Sequence, residues 1–110
     1  MRQYVIDQLS KEERANIDSY LKRSLKPGSV DGLYWIEVPQ DLLSEDQREH
    51  EDCGPFFLAV ELKAESACFE LLVRSQSNLH CSCIAYATPS QRDFVLRFAD
   101  QMLEGEEIRA

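Results

Sequence analysis

The sequence lacks any apolar run near the roughly 20 residues that a membrane-spanning helix needs. Its first ten residues, 1–10, contain one arginine and no apolar stretch of signal-peptide length. We therefore expect a cytoplasmic protein that does not enter a membrane. Glycine is scarce as well: the four glycines are scattered along the chain, and none forms a phosphate-binding loop.

Positive charge is also in the minority. Twelve Lys and Arg face 20 Asp and Glu, which gives a net charge of −8. A chain of this charge repels phosphate backbones, and no basic patch with interleaved aromatic residues offsets the repulsion. Nucleic acid is therefore excluded as an expected partner, whereas a protein partner is compatible with the charge.

Signatures of catalysis are missing too. No serine stands in a recognisable pattern with a histidine and an acid. The acidic stretch 45–52 lacks the spacing and the glycine of a calcium-binding loop. We therefore expect a protein that is not an enzyme and that carries no cofactor.

The residues that are present indicate one globular domain, 1–110. Apolar residues make up 44% of the chain and charged residues 29%, which is typical of a folded protein. Ser10 with Glu13 predicts a capping box at the start of a first helix, which Pro27-Gly28 ends. Thr88 with Gln91 predicts the same at the start of a last helix, and Ser44 with Gln47 predicts a short helix near 44–51.

Alternating apolar residues predict the strands. Residues 33–38 form one expected strand, and 56–63 and 66–74 form a hairpin around a tight turn at 64–65. The predicted register pairs Val60 with Phe69, Leu58 with Leu71 and Phe56 with Val73. After a turn at 75–78, residues 79–87 form the last expected strand. The fold class predicted is α+β, with two layers: a four-stranded antiparallel sheet with the N- and C-terminal helices packed on one face.

All four cysteines and both histidines lie between His50 and Cys83. Zinc sites are usually built from short chelating pairs, and two such groups are present: His50 with Cys53, and His80 with Cys81 and Cys83. The expected ligand set is His50, Cys53, Cys81 and Cys83. On a regular strand, however, Cys81 and Cys83 would be about 6.8 Å apart, against about 3.8 Å for two thiolates on one zinc ion. Cys68 is expected outside any such site. Burial as small apolar residues is the preferred explanation, and zinc binding or thiol chemistry is the alternative.

The outer face of the predicted sheet is more apolar than a solvated face should be. Leu33, Trp35, Phe57 and Leu72 would lie on it, opposite the helices. Such a patch usually marks a surface for a partner or for self-association; the other interpretation is that the loop 39–55 covers it. The sequence thus predicts a protein-interaction or dimerisation module, a homodimer, that acts through this face or the sheet edge. A zinc-binding or thiol-dependent protein is the alternative.

Overall fold

The computed structural model describes residues 1–110 as an α+β fold, with an antiparallel sheet and a helix near each end of the chain. The helices and strands are β1 (Gln3–Ile6), α1 (Lys11–Ser24), β2 (Lys26–Pro27), β3 (Leu33–Glu37), α2 (Glu45–Glu49), β4 (Phe56–Leu62), β5 (Ala67–Glu70), β6 (Leu72–Ser75), β7 (Ala85–Tyr86) and α3 (Pro89–Gly105). Two short 3-10 helices, Gln40–Leu42 and Glu51–Cys53, flank α2. None of the helices is both long and apolar enough to cross a bilayer.

All three α-helices begin at the capping boxes that the sequence predicts. At α1, the Ser10 amide donates to the Glu13 carboxylate at 2.8 Å and the Glu13 amide donates to the Ser10 hydroxyl at 3.1 Å. Ser44 with Gln47 and Thr88 with Gln91 repeat this arrangement at α2 and α3. Reciprocal capping satisfies two backbone donors that a helix start otherwise leaves unpaired, so these starts are set by local chemistry.

The sheet has seven strands, so the prediction of four is wrong. Its order is β1-β5-β4-β3-β2, and β6 pairs with both β4 and β7. Two strands were missed: β1, which pairs along β5, and the two-residue β2, which pairs with β3. β1 has only one fully buried residue, Ile6, so its sequence carries little apolar alternation from which to predict it.

The central hairpin keeps its predicted register at one end and loses it at the other. Val60 pairs with Phe69, as predicted, around a turn closed by the Lys63 amide and the Ser66 carbonyl at 2.8 Å. Leu71 then leaves β4, because its amide donates to Arg2 and its carbonyl accepts from Ala87. The predicted pairing of Phe56 with Val73 is therefore wrong, because Phe56 pairs with Ser75.

This change of register preserves the faces of the sheet. Val73 and Ser75 are two residues apart, and residues two apart point to the same side of a strand. Val73 consequently stays fully buried although its partner differs from the prediction. The predicted pairing of Leu58 with Leu71 does not form, and Leu71 is half-buried.

The predicted strand over 79–87 is also wrong except for β7 (Ala85–Tyr86). Two successive turns replace it: the Cys81 amide donates to the Asn78 carbonyl at 3.4 Å, and the Ile84 amide donates to the Cys81 carbonyl at 3.1 Å. Asn and Ser are favoured in turns because their side chains bond the nearby backbone. Asn78 and Ser82 lie in this segment, and it forms turns although its apolar residues alternate as in a strand.

The main core contains 20 buried residues from the long helices, the sheet and the connecting segments. Ile17 and Leu21 of α1 and Val95, Ala99 and Met102 of α3 belong to it. From β4 it takes every second residue: Phe56, Leu58, Val60 and Leu62.

The loop 39–55 packs against α3. Gln91 of α3 donates its amide group to the Leu42 carbonyl at 2.9 Å and to the Gln47 side chain at 2.8 Å. Both glutamines are buried, and each also completes a capping box. These contacts fix α2, and with it the segment that follows α2, relative to the C-terminal helix.

Candidate metal-binding site

The first half of the candidate site lies directly after α2. His50 is the C-terminal cap of that helix, and the 3-10 helix Glu51–Cys53 follows it. The Cys53 amide donates to the His50 carbonyl at 2.9 Å, which closes a single turn between the two residues. His50 and Cys53 are thereby held three residues apart in a compact chelating arrangement.

The His50 ring is oriented by the helix that it terminates. Its Nδ1 lies 2.7 Å from the Asp46 carbonyl oxygen and 3.5 Å from the Asp46 carboxylate. An Nδ1–H that donates to a carbonyl leaves Nε2 as the unprotonated nitrogen, which is how ligand histidines are usually fixed. His50 therefore has the hydrogen bond that a metal-binding histidine needs.

The second half of the site lies in the two turns 78–84. These turns bring the Sγ atoms of Cys81 and Cys83 to 2.7 Å from each other, and the Cys83 amide lies 3.3 Å from the Cys81 sulfur. The predicted separation of about 6.8 Å is wrong because it assumed a regular strand. The geometric objection to a shared metal ion therefore does not apply.

The two halves meet. Ligand atoms of His50, Cys81 and Cys83 all lie within 4.8 Å of one another. Cys53 lies next to this group: it lines the same cleft as His50 and Cys81, and its sulfur accepts a hydrogen bond from the Asn78 side chain at 3.8 Å. One nitrogen and two sulfurs, from two segments distant in sequence, thus form one cluster, and the Cys53 thiol lies beside it.

A network of hydrogen bonds joins the two chain segments that carry the cluster. The hydroxyl of Ser75, a fully buried residue, donates to the Cys53 carbonyl at 2.5 Å and accepts from the Asn78 amide at 3.1 Å. The Asn78 side chain in turn donates to the Cys53 sulfur at 3.8 Å. Ser77 adds a hydrogen bond to the Asp52 carbonyl at 3.2 Å. These bonds hold the segment before β4 against the segment after β6, and the sequence prediction missed them because 75–78 was interpreted only as a turn.

The thiols differ in acidity. Hydrogen bonds from the Cys83 thiol and backbone lower the pKa of Cys81 below that of an ordinary thiol. Burial raises the pKa of Cys83 to about 12, and the hydrogen bond to Cys81 raises the pKa of Cys53. The backbone hydrogen bond to Asp46 raises the pKa of His50. Cys81 is therefore the first of the three thiols to become a thiolate, and a divalent cation at this position would favour the thiolate form of all three.

The remaining cysteine and histidine lie elsewhere. Cys68 is buried in β5, where it pairs with Val5 and Glu61, so it lies outside the site as expected. His80 is exposed and contributes no ligand atom to the cluster.

The residues predicted for partner binding are divided by burial. Leu33, Trp35 and Leu72 are half-buried, while Phe57 is 3% exposed. Phe57 contacts the edge of Trp35 at a ring distance of 6.4 Å, and the Lys26 ammonium group lies 5.7 Å from its ring. Phe57, Ala59 and Cys68 are the buried apolar residues that do not belong to the main core.

Comparison of the chain with protein-family models, curated proteins and solved structures finds no match. The function therefore has to be inferred from the residues of the chain and their geometry.

Proposed function

We propose that this protein binds one zinc ion through His50, Cys53, Cys81 and Cys83, and that the ion has a structural role. The observation that carries the proposal is the convergence of ligand atoms of His50, Cys81 and Cys83 within 4.8 Å, with Cys53 in the same cleft as His50 and Cys81. Three thiolates and one imidazole are a common ligand set for structural zinc.

The surroundings of the cluster suit a cation. The cleft at its mouth, of about 480 Å³, is lined by Glu49, Glu51 and Asp52 as well as by His50 and Cys81. Carboxylates around a cleft raise the local concentration of cations. The hydrogen bond from His50 to Asp46 supplies the outer partner that ligand histidines normally have.

A site of this kind stabilises segments that have little else to hold them. Cys83 is the one buried residue in the turns 78–84, whereas Leu79 and His80 are exposed, so apolar burial contributes little there. A zinc ion would crosslink them to the end of α2. Four protein ligands leave no coordination position for a substrate, which supports a protein that is not an enzyme, and free thiols are compatible with the cytoplasm.

Metal content tests the proposal directly. Native mass spectrometry of protein purified without chelator should give about one zinc ion per chain. Cys83→Ser should lose the ion, because the substitution removes a ligand, whereas Cys68→Ser should keep it, because Cys68 is an equally buried cysteine outside the site. Absence of metal from the unmodified chain, or equal loss in both variants, would rule the site out.

A second function rests on a different surface. We propose that the outer sheet face forms a homodimer. Tyr34 bonds Asp18 of α1, and Phe69 contacts Phe98 of α3 at a ring distance of 6.3 Å. These contacts support packing of both long helices on the sheet face that carries Tyr34 and Phe69, in two layers. The opposite face would then offer the half-buried Leu33, Trp35 and Leu72 to a partner, while Phe57 is already buried against Trp35 and Lys26.

Charge favours a second copy as that partner. The register of the sheet assigns five charged residues to this face: Lys26, Arg74, Glu37, Glu61 and Glu70. Lys63, directly after β4, adds a third basic residue beside Glu61. Lys63 pairs with Glu61 at 3.6 Å and Arg74 with Glu70 at 3.0 Å. A face without net charge lets two chains of charge −8 approach with little repulsion.

Sedimentation at micromolar concentration tests this second function. The unmodified chain should sediment as a dimer, and Trp35→Glu should be monomeric because a carboxylate would be buried in the apolar contact. Val30→Glu serves as the control, since Val30 is 64% exposed in the loop between β2 and β3. A sharply monomeric profile of the unmodified chain would remove this function.

A further inference from the structure

The thiols of Cys81 and Cys83 are close enough for two kinds of sulfur chemistry. Their 2.7 Å separation is shorter than the roughly 3.8 Å between two thiolates on one zinc ion and longer than the roughly 2.05 Å of a disulfide. The turns 78–84 fold the backbone so that residues two apart present their sulfurs to each other. If the two sulfurs move slightly apart, they reach the separation of zinc-bound thiolates. If they move slightly closer, they reach the separation of a disulfide.

The two thiols differ in access. Cys81 is half-buried and lines the open cleft, while Cys83 is 1% exposed and lies beneath it. A small oxidant that enters the cleft meets the Cys81 sulfur first. The Cys83 sulfur is then in contact with any group formed on Cys81. This is the arrangement of a reacting thiol next to a resolving thiol.

We propose that a hydroperoxide oxidises Cys81 and Cys83 to a disulfide, and that the disulfide and zinc binding by these two cysteines exclude each other. The inference rests on the zinc site proposed above. Zinc needs both sulfurs as thiolates, and a disulfide leaves neither available, so oxidation reduces the ligand set to His50 and Cys53.

The chemistry balances with a hydroperoxide as oxidant. The Cys81 sulfur attacks one oxygen of hydrogen peroxide, the O–O bond breaks, and the products are a sulfenic acid on Cys81 and one water. The Cys83 sulfur then attacks the Cys81 sulfur, the S–O bond breaks, and a second water leaves with the former hydroxyl oxygen. Two electrons pass from the zinc-bound thiolate pair to the peroxide, solvent supplies the two protons that the two waters need, and the zinc ion is released.

Cys53 is the competing thiol. It lines the same cleft as Cys81, but its backbone is held by Ser75, and its own sulfur accepts a hydrogen bond from Asn78 at 3.8 Å. Cys83, two residues from Cys81, needs no movement of one segment relative to another in order to react. The disulfide expected is therefore Cys81–Cys83.

Trypsin separates these outcomes. Cleavage at Lys and Arg puts Cys53 in peptide 49–63, Cys68 in peptide 64–74, and Cys81 and Cys83 together in peptide 75–92. A Cys81–Cys83 disulfide is a bond within one peptide, whereas a bond to Cys53 crosslinks two peptides. Mass spectrometry of the digest identifies the bond without further substitution.

The experiment starts from zinc-loaded, reduced protein of measured metal content. Hydrogen peroxide should release one zinc ion per chain, which a chromogenic chelator detects. Two of the four thiols should be lost, and the disulfide within peptide 75–92 should form. Dithiothreitol with added zinc should restore the initial state. Cys68→Ser should behave like the unmodified chain, and Cys53→Ser should still form the same bond.

The other results are decisive as well. Zinc that stays bound, or a crosslink between peptides 49–63 and 75–92, overturns the inference while leaving the zinc site in place. Protein that holds no zinc before peroxide is added overturns the proposed function and, with it, the exclusion between the two states.

Discussion

Removal of zinc by a chelator is expected to lower the free energy of unfolding by about 4 kcal/mol, for protein that starts with free zinc a thousandfold above its dissociation constant. The physical reason is mass action: the folded state binds the ion, and an unfolded chain does not present the four ligands together. Urea unfolding with and without chelator measures the difference. Cys83→Ser should show no response to the chelator, because it has no intact site to lose.

The loss should begin locally. The amides of Cys53, Cys81 and Ile84 are bonded only within the short turns around the site. They should exchange with solvent much faster once zinc is removed, whereas amides of β4 and α3 should stay protected until the chain unfolds globally. Hydrogen exchange followed by mass spectrometry separates these two groups. Unchanged exchange in the segments 50–54 and 78–84 would contradict a structural role for the ion.

The helix starts and one end of the hairpin could be predicted because they depend on neighbours in sequence. Ser10, Ser44 and Thr88 each cap a helix through a residue three positions away. The pairing of Val60 with Phe69 follows from alternation on both sides of one tight turn. Local chemistry of this kind is contained in a few consecutive residues.

The parts that failed depend on distant neighbours. Leu71 leaves the hairpin because Arg2 and Ala87 take its backbone hydrogen bonds, and neither is near it in sequence. β1 forms because β5 offers a free edge to it. No pattern within either segment indicates these partners.

The candidate site divides in the same way. Its four residues could be named from ligand type and spacing, yet their convergence could not be predicted. Turns around Asn78 and Ser82 replaced the expected strand and reduced the distance between the Cys81 and Cys83 sulfurs to 2.7 Å. Nothing in the sequence between positions 53 and 75 indicates that the Ser75 hydroxyl bonds the Cys53 carbonyl. The types and spacings of the ligands are visible in short stretches of sequence, whereas the distances between them depend on contacts between distant segments.

Gln91→Leu is expected to destabilise the fold by about 3 kcal/mol. Gln91 is fully buried, and its side chain makes three hydrogen bonds: it accepts from the Thr88 amide and donates to the Leu42 carbonyl and the Gln47 side chain. Each buried polar group left without a partner costs about 1–3 kcal/mol, partly offset by relaxation and by the apolar leucine. Gln101→Leu is the control, because Gln101 is exposed on the same helix.

Gln91→Glu separates the hydrogen bonds from the shape of the side chain. A carboxylate keeps the volume and can still accept from Thr88, but it would face the oxygens of Leu42 and Gln47 instead of donating to them. Burial and these oxygens would raise its folded pKa above that of an unfolded glutamate. The destabilisation should therefore be full at neutral pH and should be relieved as pH falls through the raised folded pKa, because a protonated carboxyl donates one hydrogen bond. Unfolding free energies of the two variants, measured between pH 4 and 8, test this sign. Gln91→Leu should show no such recovery relative to the unmodified chain. An equally flat profile for Gln91→Glu would mean that the amide donor is not what joins α2 to α3.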